Sequence, residues 1–145
     1  MIDYLFSGDF RKIKEKLEKE MKSCGFLEAY DVPMKDGSLA YNLNLNIGPS
    51  SLGIDEIDLF IKTEGSFSLE KGGFFVEELD ELQKVLSIFY GSPFSLTFEP
   101  IDVLWPRYSV CIQTAHLKTV EELKEHVCTL KLLLTKVSKM FSEKE

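Results

Sequence analysis

The chain has 145 residues, 44% of them hydrophobic and 28% charged, with a formal net charge of −7. That is the size and composition of one globular domain able to bury a core without a disulfide framework, and it argues against a disordered or membrane chain. The charge is uneven. Residues 1–24 carry six basic and five acidic side chains, residues 25–105 four and fourteen, and residues 106–145 seven and five, giving +1, −10 and +2. So acidic a middle repels phosphate backbones, which argues against nucleic acid and leaves a basic or apolar partner as the easier one to hold.

In chain order, Asp9 caps an expected first helix whose apolar residues Phe10, Ile13, Leu17, Met21 and Cys24 recur at helical spacing before Gly25. A strand follows over Phe26 to Val32. Asp36-Gly37 then signals a hairpin into AYNLNLNIG at residues 40–48. There Tyr41, Leu43, Leu45 and Ile47 alternate with Asn42, Asn44 and Asn46, so the amides share one face. That asparagine row can grip an extended peptide, but it is first the wet side of a sheet.

Glu56 to Thr63 alternates again, and Glu64-Gly65 turns the chain into a short extra strand through Phe67 and Leu69, ending at Gly72-Gly73. From Glu77 to Tyr90, acids in the first turn, the stripe Leu79, Leu82, Leu86 and Phe89, and the stop at Gly91 and Pro93 describe a second helix. Ser95 to Phe98 and Tyr108 to Leu117 read as strands joined by an irregular connector. Thr119 with Glu122 has the spacing of a capping box. A third helix runs on through Val120, Leu123, Val127, Leu130, Leu134, Val137 and Phe141. Leu132, Leu133 and Met140 widen its apolar surface, so its C-terminal half is expected to touch neighbours on two sides.

The whole is a single α+β domain over residues 1–145, in the order α-β-β-β-α-β-β-α, with a mainly antiparallel sheet packed against helices. No apolar run approaches the roughly 20 residues that cross a bilayer, and no basic leader opens the chain. With three widely separated cysteines, Cys24, Cys111 and Cys128, this suggests a cytoplasmic protein with free, buried thiols. Glutamine and asparagine are scarce, a weak sign of a hot habitat.

Chemistry finds little purchase. Cys111, His116, His126 and Cys128 are zinc-ligand types, but the first two point to opposite faces of a strand and the last two diverge by about 200° on a helix. No metal and no cofactor is expected. No Gly-x-Ser-x-Gly elbow or P-loop is present, and Gly72-Gly73 leads into Glu77 and Glu78, which would repel phosphate. No catalytic residue is assigned. The most informative segment is IDVLWPRY, residues 101–108, which gathers the lone Trp105 with Arg107 and Tyr108, types enriched at binding hot spots.

The element order, in a small acidic chain, resembles the class I type III secretion chaperones and the similarly built YbjN-like family. The resemblance lies in architecture rather than in a motif. It implies a non-catalytic homodimer in which the second helix and the last two strands pack against their twin, and in the chaperones exposed apolar patches hold an extended partner segment. It would place Leu82, Val85, Phe89, Phe98, Trp105, Tyr108, Val110 and Ile112 at or near the subunit contact, beside Arg107 of the connector. The expected function is thus a dimeric protein-binding module, chaperone-like or regulatory, whose partner is another protein or peptide. The alternative is a small-molecule binder or enzyme with a cleft between sheet and helices, using His116 and nearby acids.

Overall fold

A computed structural model describes Lys19 and residues 29–33, 39–45, 47, 56–62, 66–101 and 107–142. Within them are six strands and two long helices: β1 (Ala29–Pro33), β2 (Leu39–Asn44), β3 (Glu56–Ile61), β4 (Phe67–Val76), α1 (Leu79–Phe89), β5 (Ser95–Pro100), β6 (Tyr108–Gln113) and α2 (Val120–Ser142). The α+β class and the order of elements agree with the sequence. The expected first helix over Asp9 to Cys24 and the Asp36-Gly37 turn lie outside the described residues.

The strands form one antiparallel sheet in the order β1-β2-β3-β4-β6-β5. Period-two alternation fixes its faces. Tyr41, Leu43, Ile57, Leu59, Ile61, Phe67, Leu69, Val110 and Ile112 are buried and join Leu82, Val85 and Phe89 of α1 and Leu123, Val127, Leu130, Leu134 and Val137 of α2 in one core. Fully burying each aliphatic side chain contributes roughly 1.5–3 kcal/mol against the entropy of ordering the chain. The helices therefore lie on this face, and Asn42, Asp58, Glu70 and Gln113 turn to the opposite one.

Two local features depart from expectation. The extra strand does not stop at Gly72-Gly73 but runs ten residues, and its register with β6 shifts between Lys71 and Phe74. Glycines inside a strand serve here as a bulge, where an additional residue is absorbed without ending the ladder. At the start of α2, Thr119 Oγ1 accepts from the Glu122 N–H at 3.1 Å, as a capping box requires. The Glu122 carboxylate, however, accepts from the Lys118 N–H at 3.2 Å, one residue earlier than the motif predicts.

The second helix begins at Leu79, with Glu78 in an extended N-cap conformation and Asp80 and Glu81 in its first turn, where carboxylates complement the helix dipole. It ends where Gly91 adopts a φ of 81°. Beyond it, Phe94 meets Phe89 edge-on at 6.2 Å and His126 of α2 at 5.9 Å, tying the start of the last strand pair to both helices. On α2, Leu133 is buried and Met140 packs against the core, whereas Leu132 is 61% exposed, so the apolar surface is wider than one stripe but not covered throughout.

Candidate docking surface

The cysteines correct one expectation. Cys111 is a free, half-buried thiol, but Cys128, exposed on α2, is disulfide-bonded. Its place between Val127 and Thr129 puts it off the apolar stripe, at the helix surface.

Of the residues expected at a subunit contact, Leu82, Val85, Phe89, Val110 and Ile112 are buried in the core of the single chain. Alternation and helical spacing identify an apolar face without saying what covers it, and here α1 and α2 cover it. Those five have no surface to offer a partner. Phe98 and Arg107 are exposed, Tyr108 is half-buried, and Trp105 lies outside the described residues.

Six large hydrophobics are exposed among the described residues, and all but Tyr90 and Leu132 lie toward one end of the sheet. Phe75 is 41% exposed, Leu79 56%, Phe98 48% and Ile101 46%. The ladder brings them to one end of the sheet: Phe75 pairs with Ser109 and Ser109 with Glu99, Val110 pairs with Phe98, and the Ile101 N–H donates to the Arg107 carbonyl at 3.1 Å. Leu79 opens α1 three residues after Val76, which pairs with Tyr108. Phe75 and Ile101 are on the polar face with Ser109 and Glu99, and Phe98 is on the helix side with Val110, so this end of the sheet carries apolar groups on both faces. Its outer boundary is β5, the edge strand, whose residues are exposed except for half-buried Leu96. Residue types pointed to the connector and the resemblance to Phe98; Phe75 and Leu79 were hidden, because nothing in their local pattern says that the sheet ends beside them.

The opposite face of the sheet is polar. Asn42, Asp58, Glu70 and Gln113 stand in one cross-strand row over β2, β3, β4 and β6, with Ser95 of β5 beyond. Asn42 and Asn44 are half-buried there, and Asn42 Oδ1 is buried without a hydrogen-bond partner among the described residues; Asn46 lies outside them. Burial pushes the Asp58 carboxyl above its usual range, the facing Glu70 carboxylate adds to this, and Lys71 opposes it in part. Lys62 Nζ lies 5.4 Å from the Phe60 ring on the same face.

Among the described residues no three His, Cys, Asp or Glu side chains converge as a metal site would need. His116 Nδ1 is 3.1 Å from Ser66 Oγ in an exposed position, and His126 Nδ1 donates to the Glu122 carbonyl at 2.8 Å, a local helix contact. A groove of about 710 Å³ is lined, among the described residues, by Glu121, Lys124, Glu125, Cys128 and Thr129 of α2. No described helix is long and apolar enough to cross a membrane.

No family model, curated protein or solved structure matches the chain. The assignment of a role therefore rests on its own surface.

Proposed function

We propose that this chain is a non-catalytic protein-binding module that acts as a homodimer and holds another polypeptide, chaperone-like or regulatory in role. The observation that carries the proposal is the edge strand β5, exposed apart from half-buried Leu96, with exposed Phe98 on its helix-side face and exposed Phe75 and Ile101 on the other face at the same end of the sheet. An exposed edge strand offers a row of outward backbone groups on which another chain can pair, and large apolar side chains beside it add surface to bury. Acidity around them favours a partner segment that is apolar or basic.

Light scattering on the eluting protein at micromolar concentration tests the first part. A dimer is expected for the native chain, and Phe98→Asp, a change at an exposed position that the core does not feel, is expected to shift it to monomer. A native chain that is strictly monomeric overturns the homodimer.

The alternative, a small-molecule binder or enzyme, draws on one observation, the Asp58 and Glu70 carboxyls facing each other on the polar face of the sheet. Thermal-shift screening against metabolites separates the two, since a ligand that binds only the folded chain raises its melting temperature. A cytoplasmic location belongs to the main proposal. The disulfide at Cys128 fits such a location chiefly for the intracellular proteins of heat-loving organisms, in line with the scarce amides, and a thiol count on natively sourced protein tests it.

A further inference from the structure

The edge strand carries a more specific arrangement, which rests on the proposed homodimer. Ile101 and Arg107 form a hydrogen-bonded position of the β5–β6 ladder, because the Ile101 N–H reaches the Arg107 carbonyl and the preceding pair is Pro100 with Tyr108. Antiparallel ladders alternate between bonded and non-bonded pairs. Ser95, Thr97 and Glu99 therefore turn their backbone groups toward β6, while Leu96, Phe98 and Pro100 turn theirs to the open edge. Pro100 has a carbonyl there but no N–H. The outward groups are thus the N–H and C=O of Leu96, the N–H and C=O of Phe98, and one carbonyl.

We infer that two copies pair their β5 strands antiparallel about a twofold axis at Thr97, joining both six-stranded sheets into one. A twofold perpendicular to the sheet keeps each face on its own side, so its centre must fall on a residue. At Thr97, Leu96 lies opposite the second copy's Phe98 and each such pair exchanges two bonds. Every outward group of Leu96 and Phe98 is then satisfied without calling on Pro100. Ser95 falls opposite Glu99, so no like charges meet. Centring on Phe98 instead sets Leu96 against Pro100, whose missing N–H leaves the Leu96 carbonyl unmet.

Side chains agree with the backbone. Leu96 and Phe98 share the helix-side face with Ile112 and Val110, their partners on β6. Half-buried Leu96 already packs against the core, and Phe98 is left about half exposed beyond it. Across the axis these two meet their symmetry mates and extend the core through the junction. Glu99 and Pro100 are residues of the kind that blunt an edge against further pairing. In this register both sit outside the four bonds and limit the contact to one short, defined length.

Cross-linking reads the register directly. Thr97 opposite Thr97 is a non-bonded pair, with Cα atoms about 4.5 Å apart, inside the range a disulfide spans. Because Cys111 faces Thr97 within the chain, the variant is Cys111→Ser/Thr97→Cys, with Cys111→Ser alone and Cys111→Ser/Glu99→Cys as controls. After mild oxidation, non-reducing gels should show most of the Thr97→Cys chain shifted to a dimer band and neither control shifted. A dimer by light scattering that fails to cross-link at Thr97, or that cross-links equally at Glu99, overturns this register and leaves the homodimer standing. A monomer overturns both.

Discussion

Replacing Asp58 by asparagine should stabilise the protein near neutral pH. Asp58 on β3 stands directly across from Glu70 on β4, and the chain partly buries it, so its carboxyl is held above the usual value of 3.8. A folded-state value above the unfolded one means that the folded chain binds the proton more tightly. Ionisation therefore costs stability, and that cost is fully present above the folded value and disappears as pH falls to below 3.8. Like charges directly opposite in a sheet cost roughly 0.2–1 kcal/mol, and because Asp58 remains solvent-accessible, about 0.5 kcal/mol is the reasonable size. For a chain of this length that is roughly 1–2 °C in melting temperature. Circular dichroism melts of both proteins should show Asp58→Asn higher at about pH 7, a gap narrowing toward about pH 3 as Asp58 protonates, and a smaller gap in about 1 M salt, where screening acts over roughly 3 Å. A variant less stable than the parent at neutral pH, or a gap indifferent to pH, would refute the assignment of strain to this pair.

Two further outcomes separate packing from backbone effects. Leu134→Ala, at a fully buried position of α2, should lose about 2–5 kcal/mol, whereas Leu132→Ala, two residues away and mostly exposed, should stay within about 0.5 kcal/mol in denaturant titrations. Gly91→Ala meets no atom within 4 Å, so its cost comes only from placing an L-residue at a φ of 81°, about 1–2 kcal/mol, and melting should fall by roughly 2–8 °C.

The helices and most of the strands were legible because their apolar periodicity is local. Ile57, Leu59 and Ile61 alternate with Asp58, Phe60 and Lys62, and Leu123, Val127, Leu130, Leu134 and Val137 follow one helical stripe; burial then matches the pattern residue by residue. The candidate surface was legible only in part. Arg107 was singled out by its residue type and Phe98 through the resemblance, which also swept in Val110 and Ile112, covered by the helices. Apolar character says that a side chain seeks cover, and it does not say whether its own chain supplies it.

Local alternation, helical stripes and turn residues thus determined the class of the fold, the order of its elements and which side of each strand is apolar. Pairing between distant strands decided the rest. That β6 enters between β4 and β5 makes β5 an edge with unmet backbone groups, and the register of β3 on β4 sets Asp58 against Glu70. Gly72-Gly73 reads as a stop in one dimension and becomes a bulge once β6 lies alongside it. The reason is common to all three: a residue's own sequence sets its conformational preferences, but its neighbours across the sheet are chosen by how the whole chain closes its core.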